Sequence, residues 1–153
     1  MSAQDFDFLH GTWNSTQRRL AKRLAGSTEW DEFTATLDCR PVLGGVGNVD
    51  ELVAPDRDVH GLTIRLYDPE TDEWSIYWVS HKRPVMDTAP VTGRFVDGVG
   101  EFLADDEWEG TPIRCRYRWS VLGPASARWE QAFSTDGGET WETNWTADFT
   151  RRS

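Results

Sequence analysis

IRCRYRWSV, residues 113–121, decides the fold. Ile113, Cys115, Tyr117, Trp119 and Val121 alternate with Arg114, Arg116, Arg118 and Ser120. Successive side chains of an extended chain point to opposite faces, so a period of two describes a strand with one apolar and one basic face. The same period runs through GLTIRLYD, residues 61–68, where Leu62, Ile64 and Leu66 oppose Thr63, Arg65 and Tyr67. It continues in EWSIYWVS (73–80), where Trp74, Ile76 and Trp78 oppose Ser75, Tyr77 and Val79. In ARWEQAF (127–133), Trp129, Gln131 and Phe133 oppose Arg128, Glu130 and Ala132. In TWETNWTADFT (140–150), Trp141, Thr143, Trp145, Ala147 and Phe149 oppose Glu142, Asn144, Thr146 and Asp148.

Turn chemistry separates these runs. DPETDE (68–73) places Pro69 at the second position of a type I turn, VDGVGE (96–101) carries the Asp-Gly of a tight hairpin, and DEWEGTP (106–112) and LGPAS (122–126) are further breaks. Strands are expected near 12–22, 28–39, 46–54, 60–68, 73–81, 90–97, 100–107, 112–122, 127–135 and 140–151. No segment of helical period competes with them. Short antiparallel strands joined by successive hairpins form a sandwich or close into a barrel, and the lack of long crossovers favours an up-and-down meander. The expectation is an all-β chain, one domain over residues 1–153, folded as a single antiparallel up-and-down β-barrel of about ten strands. Such a barrel is wide enough for a small ligand.

FSTDGGETW, residues 133–141, fits S-x-D-x-G-x-T-W, the Asp-box of sialidase propellers. A propeller repeats such a motif over several blades of about 40–50 residues each. One copy in 153 residues is too little chain, so the stretch reads as a hairpin with no catalytic role.

The net charge of −10 and pI near 4.7 would repel a phosphate backbone, which argues against nucleic acid as a partner. QRRLAKRL (17–24) is the nearest approach to a basic patch and reads as a solvated strand end or turn. The start MSAQDFDFLHGTW lacks the basic and apolar segments of a signal peptide, and no apolar run approaches the roughly 18 residues of a membrane span. A soluble cytoplasmic protein with no membrane partner is expected. Cys39 and Cys115 lack C-x-x-C spacing and read as buried thiols. His10, His60 and His81 show no metal-ligand spacing, so neither metal nor cofactor is expected.

FLHGTW contains Gly11, Thr12 and Trp13, and DFTRR contains Arg151 and Arg152. Together they resemble the G-x-W and terminal arginine of lipocalins and other calycins, in which the arginine packs over the tryptophan. FDFLHGTWNSTQRRL, PVLGGVGNVDE, GLTIRLYDPETDEWSIYW and ARWEQAFSTDGGETWETNW resemble a bacterial lipocalin-like family of uncharacterised function. That resemblance implies the barrel and no reaction. A related barrel family holds haem through one histidine, a role that would fall here to His81.

Nine tryptophans are available to such a barrel, and Trp74, Trp78, Trp119, Trp129 and Trp145 fall within strands. They either line a cavity for a flat aromatic ligand or fill the barrel themselves. Arg65, Arg114, Arg116 and Arg118 are expected outward, paired with acids, because Cys115, Tyr117 and Trp119 lie opposite the last three. The G-x-W register sends Trp13, Ser15, Gln17 and Arg19 inward. GGVGNVDE (44–51) reads as a barrel corner or as a rim with polar anchors. Glu130, Glu142 and Asp148 fall on outer faces by parity.

The residues expected to touch ligand are Trp13, Gln17, Arg19, Trp78, Tyr117, Trp119, Gln131 and Trp145. The leading function is a small-molecule binding protein with an apolar or aromatic ligand in the barrel. One alternative is a cavity isomerase or cyclase using Gln17, Arg19, Gln131 or a tyrosine for proton transfer or hydrogen bonding. Another is a protein-interaction module with a self-filled barrel, and a homodimer stays open.

Overall fold

A computed structural model describes residues 2–86 and 89–152. Its strands are β1 (Gly11–Leu20), β2 (Trp30–Val42), β3 (Gly47–Ala54), β4 (Val59–Asp68), β5 (Glu73–Ser80), β6 (Val91–Val96), β7 (Val99–Trp108), β8 (Thr111–Gly123), β9 (Ser126–Ser134) and β10 (Glu142–Arg151). Each pairs antiparallel with the next, and β1 pairs with β10, so the sheet closes in chain order. The all-β, ten-stranded up-and-down barrel expected from the alternation is what forms. Among the described residues, no helix is long and apolar enough to cross a membrane.

One end of the barrel is plugged. The chain enters through a short 3-10 turn, Asp7–Leu9, which buries Phe6 and Leu9 completely beneath the strands. Phe6 meets Trp74 and Phe95 edge-on, each with centroids 4.9 Å apart. Trp13, fully buried, donates its indole N–H to the Leu9 carbonyl at 2.9 Å. The arginine of the resemblance is Arg151, whose guanidinium carbon stands 4.3 Å from the centre of the Trp13 ring and which also donates to the Phe8 and His10 carbonyls. Gly11 makes this approach possible: its φ is +118°, and a Cβ there would lie 2.6 Å from Arg151 Nη1.

FSTDGGETW is the β9–β10 hairpin, as expected. Asp136 accepts bonds from the Ser134 hydroxyl at 2.7 Å, the Thr140 N–H at 2.9 Å and the Thr140 hydroxyl. These bonds hold its carboxyl well below the usual carboxylate range.

Two face assignments need correction. Arg65 points inward and is 3% exposed, whereas Leu62, expected on the apolar face, is 37% exposed on the outside. Register explains it: Asn48 stands opposite Arg65 and Asp50 opposite Thr63, so polar partners on two adjacent strands share the inner face. Arg114, Arg116 and Arg118 do face out, with Arg118 paired to Glu101 at 2.6 Å. The second correction is in β10, where a bulge between Thr143 and Trp145 resets the parity. Trp145, Ala147 and Phe149 face in, but Trp141 lies outside, 4.4 Å beneath the Arg116 guanidinium. Asn144, expected outside, is fully buried, and Glu142 turns to the rim, where it accepts the Leu24 N–H at 2.7 Å.

Candidate functional site

Above the plug the barrel is hollow. Trp119, Phe149 and Leu37 line the lower part of the chamber, and Trp78, Tyr117, Trp129 and Trp145 complete its aromatic wall. The chamber leaves about 70 Å³ open to the centres of water-sized molecules. That is room for roughly five waters at about 10–15 Å³ each. Ile76, Trp78, Tyr117, Gln131 and Trp145 also line a wider vestibule of about 380 Å³ by the same measure, toward the open end. Inner chamber and vestibule thus share five side chains as a common wall.

The indoles are held in fixed attitudes. Trp145 meets Trp129 edge-on at 5.5 Å and Trp78 at 6.3 Å, and Trp119 stacks on Phe149 at 5.5 Å. Gln17 fixes Trp145 by accepting its indole N–H at 2.7 Å, and itself donates to the Ser15 hydroxyl at 2.8 Å. Gln131 is tied to Asn144 at 2.8 Å. Gly61 lies opposite Ser80 on β5, and a Cβ on it would sit 1.9 Å from the Trp78 ring, so glycine is required for this indole's position.

The polar end of the chamber is an ion pair. Asp50 and Arg65, with side chains 1% and 3% exposed, meet at 2.6 Å. Arg65 also donates to Asn48 Oδ1 at 2.8 Å, and its guanidinium lies 5.4 Å from the Trp119 ring. Burying two ions costs several kcal/mol each before their attraction repays it. Burial pushes the Asp50 carboxyl above its ordinary range, and Arg65 draws it partly back. Hydrogen bonding from Arg65 and from the Thr63 hydroxyl favours the charged carboxylate, while Arg65 Nε has no partner among the described residues. Burial also raises the Tyr117 phenol. Both cysteines are free and buried, and burial pushes their thiols up to about 12.

Of the eight residues expected at the ligand, Gln17, Trp78, Tyr117, Trp119, Gln131 and Trp145 line the inner chamber. Trp13 lies below it, in the plug. Arg19 stands at the rim, with its guanidinium 5.2 Å from the Trp145 ring and 5.3 Å from Phe33. His81 does not line the chamber; its ring contacts Asp58 at 2.9 Å and the His60 carbonyl at 3.0 Å. The glycines of GGVGNVDE turn the corner at the plugged end, while Asn48 and Asp50 behind them face the interior. Sequence reading missed Thr63, turned Arg65 outward and weighed Asp50 only as a polar anchor of the GGVGNVDE rim. The available signal was that Asn48 and Asp50 share parity with apolar Leu52 and Ala54.

No family model matches the chain, and no curated protein matches it. Among solved structures, the S-type phycobiliprotein lyase CPES from Guillardia theta superposes with a TM-score of 0.63 at 12% identity, over 100% of this chain and 94% of that one. A redesigned β-barrel superposes with a TM-score of 0.50 at 10% identity, over 98% and 96% of the two chains. At such identities the likeness is one of fold, and it places the chain among lipocalin-like barrels.

Proposed function

We propose that this protein binds a small aromatic molecule inside the barrel, with the ring system among Trp78, Trp119, Trp129 and Trp145 and a hydrogen-bond donor turned toward Asp50. The observation that carries this reading is an aromatic chamber that side chains have left unfilled, closed at one end by the buried Asp50–Arg65 pair. A carboxylate has acceptor sites beyond its contact with Arg65, and a hydrogen bond to a charged group from an incoming N–H or O–H contributes about 1.5–3 kcal/mol. Indole walls suit a flat partner because offset and edge-on ring contacts are favourable by about 0.5–1.5 kcal/mol each. That a phycobiliprotein lyase shares the barrel is consistent with an interior that handles ligands. The Trp13–Arg151 latch supports a place for the chain among the calycins. The open chamber favours a ligand over a self-filled interaction module.

The test is a titration with N-phenyl-1-naphthylamine, an aromatic amine whose fluorescence rises in apolar surroundings. Saturable binding is expected. Ala147→Phe and Leu52→Phe, which fill the chamber from different strands, should each abolish it while far-ultraviolet circular dichroism stays unchanged. Absence of saturable binding to the parent chain, or binding that survives both folded variants, rejects the reading.

A second reading, a cavity isomerase or cyclase, is favoured by Asp50 alone. A carboxyl raised by burial moves toward the range in which it exchanges protons near neutral pH. Turnover of a bound molecule, lost in Asp50→Asn, would separate it from simple binding.

A further inference from the structure

The open end of the barrel carries two arginines that lie on an indole rather than against a carboxylate, as Arg116 does on the outer face. In a chain with ten excess negative charges, Arg18, Arg57, Arg118 and Arg128 each lie within 4 Å of a carboxylate. Arg19 and Arg23 contact none within that distance among the described residues; both lie instead on the indole of Trp145, with guanidinium carbons 5.2 and 5.9 Å from its ring. Arg23 also stands 4.7 Å from the Trp108 ring and 5.5 Å from Phe133.

Trp145 is the shared wall of chamber and vestibule, with its N–H anchored by Gln17; Arg23 lines the vestibule and Arg19 lies on the same indole. The turn bearing Arg23 is itself fixed, because the Leu24 N–H bonds to Glu142 at 2.7 Å. Burial lowers the Arg23 pKa, and the neighbouring positive charge of Arg19 lowers it further. An anion shared by two cations that act on one another relieves their repulsion. Asp106 and Glu107 on β7 share the vestibule with Arg23, and Glu142 acts on its charge, but none of these carboxylates lies within 4 Å of either guanidinium among the described residues.

We propose that Arg19 and Arg23 form an anion clamp at the mouth, so that the ligand is an aromatic acid, its rings inside the barrel and its carboxylate, sulfonate or phosphate between the two guanidiniums. This rests on the reading of the interior as an aromatic binding site. Arginine suits the role because its planar fork meets an oxyanion with paired charge-assisted bonds.

The test compares N-phenyl-1-naphthylamine with 8-anilinonaphthalene-1-sulfonate, which has the same rings plus one sulfonate. The parent protein should bind the sulfonate roughly tenfold or more tightly than the neutral amine, as charge-assisted bonds at a partly desolvated site imply. That margin should shrink as salt rises from about 0.05 to 0.5 M. Arg19→Gln combined with Arg23→Gln should erase the preference, bringing the two affinities to within about twofold of each other. Equal affinity of the parent for both probes overturns the clamp and leaves the aromatic site standing. So does a double variant that weakens both probes alike or neither. Failure of both probes to bind the parent overturns the site and the clamp together. If the double variant does not fold, the parent's two affinities and their salt dependence decide the matter.

Discussion

Replacing Arg151 with Met should destabilise the barrel by about 3–4 kcal/mol. The guanidinium donates to the Phe8 and His10 carbonyls, reaches the Pro124 carbonyl at 3.3 Å and covers the Trp13 ring at 4.3 Å. Hydrogen bonds from a charged donor contribute about 1.5–3 kcal/mol each, and a cation over an indole about 0.5–2 kcal/mol. Arg151 is only half-buried, so water replaces part of what is lost and the loss falls at the bottom of that range. For a chain of this size a loss of about 1 kcal/mol lowers Tm by roughly 2–4 °C, so a fall of about 8–15 °C is expected. Urea unfolding followed by tryptophan fluorescence measures the free energy directly. Arg151→Lys keeps the charge but not the fork and should recover less than half of the loss. A cost below about 1 kcal/mol for Met, or full recovery by Lys, would refute the view that this latch holds the plug in place.

Other consequences follow from the site and the hairpin. Gly61→Ala should displace the Trp78 indole, because the new Cβ would lie 1.9 Å from its ring; N-phenyl-1-naphthylamine affinity should fall by at least fivefold, with about 1–3 kcal/mol of stability lost to overpacking. Asp50→Ala leaves Arg65 buried without its counter-charge and should cost about 3–5 kcal/mol, whereas the double change to Asp50→Leu and Arg65→Met should regain most of this in urea unfolding. Asp136 has a depressed folded pKa, so its stabilisation is fully present above the ordinary value of 3.8 and disappears as pH falls through the folded value. The stability gap between parent and Asp136→Asn should therefore be constant near neutrality and narrow steadily below pH 3.8 in acid titrations.

Where hydropathy and pleat agree, the sequence alone locates the barrel wall. Trp74, Ile76 and Trp78 alternate cleanly with less buried residues, and all three face in. Trp13 and Arg151 were legible because the ends of the chain carry a recognisable pair. The polar end of the chamber was not legible, since β4 turns Thr63 and Arg65 inward and leaves Leu62 and Ile64 outside. Only pairing with Asn48 and Asp50 on β3 makes that orientation tolerable, and single-strand alternation contains no information about partners. The bulge before Trp145 escaped for a similar reason: one extra residue reverses parity without altering the composition of the run. Arg23 looks like a solvated charge and Arg19, sent inward by the Trp13 register, has no evident partner until the fold brings Trp145, 126 and 122 positions further along the chain, beneath them.

The central claim is that an aromatic molecule occupies the interior, and the indole N–H signals of the tryptophans report on it residue by residue. In a ¹H–¹⁵N spectrum titrated with N-phenyl-1-naphthylamine, the signals of Trp78, Trp119, Trp129 and Trp145 should move together and saturate at one equivalent. Those of Trp30 and Trp141, on the outer surface, should stay in place. Shifts confined to Trp30 and Trp141, with the four interior signals unmoved, would show that the probe binds outside and that the barrel does not receive it.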